Sequence, residues 1–416
     1  MNAQSGELRS TVMSVCVRVL ALLSCLLVFP TNTLAQVGSR IECPPRDELQ
    51  LLRPLADGGA AALVYYPDAG PGARITVIVP VAAPLMAVRR ALLEAERWPE
   101  FIPALRTVTL LSRHGRRTAY RFEVSASLLD MSAVTTLTDV NERRVDFTVQ
   151  ESDFGVAAAR WDLLDDGPGR TLLVTTNWSD PSQGHWLLRR TARSNLTATA
   201  GMNVAVDLIL ALSVGRRALD LAGVPTPPRP LHGVVSPTSL TPPPRGPWES
   251  LVNDPKRYYL FAFRLTEDGA VSQMSVMHHT WGRADALEAR LVEIAGYGNH
   301  LPGVRATPIN GATDRAEIVV STPLDSASGT LIQRRDASGA ILLEGHGGAL
   351  EGAHWRWDIT RTEGRGTLLT LTGNVHESMA STLVRAAAGR EPYLYAGVAA
   401  LRELMWMRYM LAGIPF

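Results

Sequence analysis

Trp98-Pro99-Glu100-Phe101-Ile102-Pro103-Ala104-Leu105-Arg106 reads as the break between a helix and a strand, and the chain carries a second version of it. That version is Tyr297-Gly298-Asn299-His300-Leu301-Pro302-Gly303-Val304-Arg305. Before the first, Val88, Leu92 and Leu93 are spaced for one helical face; before the second, Leu287, Leu291 and Ile294 are. Proline and glycine then stop the helix. Further matches follow in the same order. Trp161-Asp162-Leu163 is answered by Trp357-Asp358-Ile359, and Thr171-Leu172-Leu173 by Thr367-Leu368-Leu369. Leu221-Ala222-Gly223-Val224-Pro225 is answered by Leu411-Ala412-Gly413-Ile414-Pro415. The offsets run from 190 to 199 residues. Four matches in order at nearly constant spacing point to a duplicated unit.

Each copy has the same expected elements. A short strand comes first, Ile75–Val79 or the region of Ser275–Met277, and then the helix and its break. Alternating strands follow: Phe122 and Val124 on one face with Arg121 and Glu123 on the other, then Val145, Phe147 and Val149, then Leu172, Val174 and Thr176. Period-two alternation marks antiparallel strands with one covered face. Asp165-Asp166-Gly167-Pro168-Gly169 and Glu363-Gly364-Arg365-Gly366 are turn chemistry. A long helix closes each copy, through Leu196, Ala200, Val204, Leu208 and Leu212, and through Leu394, Val398, Leu401 and Met405. The fold class is α+β. A curved antiparallel sheet around one long helix leaves a natural pocket between them.

With these elements in place, the chain resembles the START-like superfamily, also called SRPBCC or helix-grip, in its polyketide-cyclase and coenzyme-Q-binding branch. Trp98 to Pro103, followed by Val108 and Leu110 of a strand, carry the resemblance. It covers about 75–225 well and 268–416 less well, since Tyr297, Gly298 and His300 replace Trp98, Pro99 and Phe101. The resemblance implies two helix-grip domains, each with a cavity for a lipid, quinone or polyketide. It does not fix the ligand, because the fold hosts binding proteins, cyclases and hydrolases.

The expected boundaries follow from composition. Arg9 and Arg18, the apolar run Val19–Phe29 and the small residue Ala35 make residues 1–35 a signal peptide. The run is about 11 residues, short of the roughly 20 that span a bilayer. Residues 36–74 form an N-terminal extension, 75–225 the first domain, 226–250 a proline-rich linker and 251–416 the second domain. Such a chain is secreted or periplasmic; retention of the segment as an anchor is the alternative. Once 1–35 is removed only Cys43 remains, so no intrachain disulfide can form.

Of the 416 residues, 46% are hydrophobic and 19% charged, a globular composition. A net charge of +1 excludes nucleic-acid binding by the whole molecule's field. No phosphate loop, G-x-S-x-G, H-E-x-x-H or C-x-x-C is present. No catalytic residue, metal or cofactor is assigned. His278 and His279 are adjacent on an expected strand and so face opposite ways. Arg160/Asp162 and Arg356/Asp358 flank the tryptophans: facing outward, the favoured reading, they are solvated ion pairs, and facing inward they would orient a ligand headgroup or serve acid–base chemistry. Asn177-Trp178-Ser179 fits a glycosylation pattern that is common by chance, and no role is assigned to it.

Aromatic and aliphatic side chains are the binding candidates. They are Trp98, Phe101, Ile102, Phe122, Phe147, Trp161 and Trp178 in the first copy, and Tyr297, Leu301, Trp355, Trp357 and Tyr393 in the second. The expected function is an exported binding or carrier protein for a hydrophobic small molecule. Transient membrane contact is compatible with it, and the oligomeric state is left open. The alternatives are an aromatase/cyclase-like didomain enzyme and an interaction scaffold that binds no ligand.

Overall fold

The computed structural model describes residues 44–66, 73–126, 129–153, 156–180, 196–226, 240–252, 258–321, 326–362, 366–375 and 393–412. The expected signal segment, Cys43 and residues 227–239 of the proline-rich stretch lie outside them.

One antiparallel sheet of sixteen strands runs through the described residues. The first eight are β1 (Gly59–Tyr65), β2 (Arg74–Val81), β3 (Leu105–His114), β4 (Arg117–Ala126), β5 (Leu129–Asn141), β6 (Arg144–Ser152), β7 (Val156–Asp165) and β8 (Thr171–Asp180). The second eight are β9 (Tyr258–Leu265), β10 (Val271–Thr280), β11 (Val304–Pro308), β12 (Arg315–Ser321), β13 (Ser326–Arg335), β14 (Ile341–His346), β15 (His354–Arg361) and β16 (Thr367–Asn374). The order is β11-β12-β13-β14-β15-β16-β10-β9-β1-β2-β8-β7-β6-β5-β4-β3. It reads the same from either edge when each strand is exchanged for the one eight later. At the centre Ala62 pairs with Phe261. They are 199 residues apart, the spacing that also separates Trp98 from Tyr297.

The sequence reading put the first strand of each copy at what is in fact β2 and β10, and placed no strand within 36–74. β1 lies there, and β1 and β9 join the two halves of the sheet. Neither shows alternation, because both faces are covered. Ala60, Ala62 and Val64 belong to the core on the helix side, while Ala61 and Leu63 pack with Leu260, Met277 and Trp248 on the other. That second face is closed by helix α1 (Arg46–Leu52), the 3-10 turn Arg53–Ala56 and the 3-10 turn Pro247–Val252. The central strands β8, β10 and β16 are buried along their whole length for the same reason. The edge strands β3 and β11 keep no fully buried residue.

Two helices, α2 (Leu85–Leu93) and the one-turn α3 (Trp98–Phe101), precede β3. The break between helix and strand at Trp98–Pro103 is itself partly helical. Pro99 sits in the first turn of α3, where its missing amide costs nothing. The long helix α4 (Leu196–Leu221) closes the first half. In the second half α5 (Ala284–Val292), α6 (Tyr297–His300) and α7 (Leu394–Leu411) take the same places.

α4 and α7 pack on each other across the sheet. Glycine makes the crossing close. A Cβ on Gly201 would lie 2.8 Å from the Leu401 Cα, and one on Gly397 would lie 2.5 Å from the Ala205 Cβ. Both contacts are related by 196 residues, the spacing between Trp161 and Trp357. The Leu-Ala-Gly-Val-Pro match at spacing 190 therefore marks helix ends, not equivalent positions. α7 ends about six residues sooner than a copy of α4 would.

Candidate functional site

Between the first half of the sheet and α4 lies a cavity of about 50 Å³. Trp98 and Ile102 enter it from α3 and its end, Phe122 from β4, Phe147 from β6, Trp161 from β7, and Val206, Ile209 and Leu210 from α4. The rings form a continuous wall. Trp98 lies 5.6 Å from Phe122 and 5.7 Å from Phe147, and Phe147 lies 5.6 Å from Trp161. Trp98 is anchored, since its indole N–H donates to the Ala91 carbonyl at 3.1 Å. The space holds a few water molecules' volume. Pockets for drug-sized ligands start near 300 Å³, so a larger guest has to displace a wall.

Five of the seven candidates in the first copy thus line one cavity. Phe101 does not: it is half-buried at the outer end of α3, with the Arg217 guanidinium of α4 over its ring at 6.0 Å. Trp178 does not either. It pairs with Ala158, and alternation puts it across the sheet from the lining residue Ala159. The helical face was also missed. The repeat through Leu196, Ala200, Val204, Leu208 and Leu212 does not pick out Val206, Ile209 and Leu210, because α4 is buried between sheet and α7 on nearly every side from 200 to 215.

In the second half the corresponding space is filled by the chain itself. Ala159 pairs with Phe147 and Asn177; Trp355 pairs with Leu343 and Gly373. Trp355 therefore stands where the first half has Ala159. Trp406 of α7, 196 residues after Leu210, packs edge-on against Tyr297 at 6.0 Å, Trp355 at 5.1 Å and Trp357 at 5.9 Å. Two tryptophans replace an alanine and a leucine. Trp355, Trp357 and Tyr297 are brought together as core. Leu301 is half-buried after α6, and Tyr393 sits at the start of α7 with its hydroxyl near the Gly269 turn.

A buried polar seam lies beside the first cavity, next to its lining residues Ala159, Trp161 and Val206 but not itself part of the lining. The lining residues Trp161 and Ala159 pair across β7 and β8 with Thr175 and Asn177, so all four share one face. Asn203 and Asp207 reach this face from α4. Asn177 Nδ2 donates to Asp207 Oδ1 at 3.2 Å, and Asn203 Nδ2 donates to Ser179 Oγ at 2.6 Å. Asp207 Oδ2, Asn177 Oδ1, Asn203 Oδ1 and Thr175 Oγ1 find no hydrogen-bond partner among the described residues. Burial pushes the Asp207 carboxyl from 3.8 up to about 7, and the Asn177 hydrogen bond offsets only part of that. Sequence reading missed Asp207. Its one available signal was a single acid within an otherwise apolar helix, between Val206 and Leu208.

The polar pairs beside the tryptophans lie on the outer face. Arg160 reaches Asp146 at 3.4 Å, and Arg356 holds Asp358 at 2.8 Å. His278 and His279 diverge, as their positions required. His278 Nδ1–H donates to the Tyr258 carbonyl at 2.8 Å, while His279 Nε2 meets Thr362 Oγ1 at 2.9 Å. Burial pushes His278 down to about 4. No group of three His, Cys, Asp or Glu among the described residues could hold a metal. No described helix is long and apolar enough to cross a membrane.

Residues 81–207 match the family model described as polyketide cyclase / dehydrase and lipid transport. The match spans α2 to the middle of α4, just under a third of the chain. The resemblance carried by Trp98 to Pro103 is thereby shown for this stretch. No curated protein matches the chain. Among solved structures, the Zhui aromatase/cyclase from Streptomyces sp. R1128 is 18% identical over 36% of this chain and 93% of its own, with TM-score 0.30. A START superfamily protein from Mycobacterium smegmatis is 21% identical over 36% of this chain and 98% of its own, with TM-score 0.29. The di-domain ARO/CYC StfQ of the steffimycin biosynthetic pathway is 13% identical over 80% of this chain and 97% of its own, with TM-score 0.26.

Proposed function

We propose that the protein binds or carries an apolar small molecule of lipid, quinone or polyketide type, and that its first half alone holds the ligand. The observation that carries this is the aromatic cavity of Trp98, Phe122, Phe147 and Trp161, closed by α4 within the stretch that matches the family model. Burying about 300 Å² of apolar ligand surface gains roughly 7 kcal/mol gross at about 25 cal/mol/Å². Immobilisation and desolvation take back part of it. The contact of Arg217 with Phe101 joins α4 to α3 at the outer end of the cavity, and parting them is the simplest way to admit a ligand.

The test uses 1-benzofuran as a probe in calorimetric titration. Wild type should bind it. Ala159→Trp, which copies the tryptophan of the second half, should abolish binding while the protein stays folded. Undiminished binding in that variant would place the site elsewhere.

The two halves are read as copies of one helix-grip unit, the first starting with β1 rather than at residue 75 and the second at 251–416, joined by 226–250. The palindromic strand order, which matches β1 to β9, and the constant spacings support this. Export is part of the same proposal and rests on Val19–Phe29 and Ala35. N-terminal sequencing of protein from its source should find a chain starting near residue 36; a start at Met1 would remove the argument for export.

One observation favours the aromatase/cyclase-like alternative. A buried carboxyl titrating at about 7 is poised for general acid–base work. Turnover of a linear poly-β-keto thioester that disappears in Asp207→Asn would put that alternative first; absence of turnover by wild type would dismiss it.

A further inference from the structure

The second half carries an internal counterpart of a bound ligand. Trp355 occupies the place of Ala159, lies across β16 from Gly373, and donates its indole N–H to Glu403 Oε1 at 2.9 Å. Glu403 is fully buried on α7 and follows Asp207 by 196 residues. Gly373 follows Asn177 by the same spacing, and a Cβ on Gly373 would lie 2.7 Å from Glu403 Oε1. So in the second half a flat apolar body fills the space and its edge donor reaches a helix carboxylate. Arg402 also donates to Glu403 there.

The first half has the carboxylate and lacks the indole. Ala159 leaves the space open, and Asp207, next to the lining residue Val206, has an Oδ2 with no hydrogen-bond partner among the described residues. The other orphan side-chain oxygens are the Asn177 and Asn203 carbonyls and the Thr175 hydroxyl. The amide donors of Asn177 and Asn203 are already spent on Asp207 and Ser179. With Asp207 ionised, acceptors outnumber donors in this seam, so it is satisfied by a ligand that donates and penalises one that brings only lone pairs. Of the seam's polar residues the second half keeps only the acid, as Glu403; Leu371, Val375 and Ala399 stand at the spacing of 196 from Thr175, Ser179 and Asn203.

We propose that Asp207 is the recognition residue of the first cavity, accepting a hydrogen bond from an N–H or O–H on the edge of a planar apolar ligand, as Glu403 accepts from Trp355. This deepens the binding function proposed above and rests on it.

The experiment pairs indole with 1-benzofuran, which has the same shape with an ether oxygen in place of the N–H. Both are titrated into the full chain by calorimetry at pH 8, where the Asp207 carboxyl is ionised. Wild type should bind indole at least tenfold more tightly. Asp207→Leu should erase that preference, bringing the indole and 1-benzofuran affinities together. Asp207→Asn keeps the Asn177 hydrogen bond but puts an NH2 donor in place of the free oxygen, so it too should lose the preference, and the comparison survives if the leucine variant does not fold. Equal affinities in wild type, or a preference that persists in Asp207→Leu, would overturn the role of Asp207 while leaving the apolar site standing. Failure of 1-benzofuran to bind wild type would instead overturn the binding function itself.

Discussion

Asp207→Asn should stabilise the protein above neutral pH and change little in acid. The folded-state carboxyl titrates at about 7 against an ordinary 3.8, because burial disfavours its charged form. Below 3.8 the group is protonated whether the chain is folded or not, and stability is at its highest with respect to this residue. Between 3.8 and 7 the unfolded chain loses the proton that the folded chain keeps, so stability falls as pH rises. Above about 7 the loss is complete. A shift of this size corresponds to about 4 kcal/mol, at roughly 1.4 kcal/mol per pKa unit. Asparagine accepts the same Asn177 hydrogen bond and never ionises. Urea unfolding at pH 8 should therefore give the variant roughly 3–4 kcal/mol more stability than wild type, and at pH 4 no more than a few tenths. Equal midpoints at pH 8 would mean that the carboxylate is solvated or paired in the folded protein.

Trp406→Ala should cost about 3–5 kcal/mol, the range for deleting a buried tryptophan. Its indole packs edge-on against three rings at 5.1 to 6.0 Å, and no neighbour can follow it inward. Leu210→Ala is the control at the equivalent place in the first half. Leu210 already faces the cavity, so its loss should sit near the lower end of the leucine range, about 2 kcal/mol. Thermal or urea unfolding decides the comparison. If the two variants cost the same, the second half is not filled in the way its ring contacts indicate.

Much of this architecture is visible in the sequence, for physical reasons that also explain what is not. Strands with one covered face announce themselves by alternation: β6, with Val145, Phe147 and Val149 inward, is legible. β1 is not, since Ala60 to Val64 are buried on both faces and leave no period. Its role in joining the halves therefore appears only in the pairing of Ala62 with Phe261. The aromatic wall was legible because large rings after a helix break have few other places to go. The filling of the second half was not, because Trp355 counts equally well as a ligand contact and as a plug. The difference lies in Trp406, which no strand pattern brings to it. Asp207 escaped for a related reason. A lone acid on a helix reads as a solvated position until the helix proves buried on nearly every side.

The most direct measurement is the stoichiometry of 1-benzofuran binding to the full chain by calorimetry. One site per chain is predicted, in the first half, with the second half closed by Trp355 and Trp406. Two sites per chain, or none, would contradict the account.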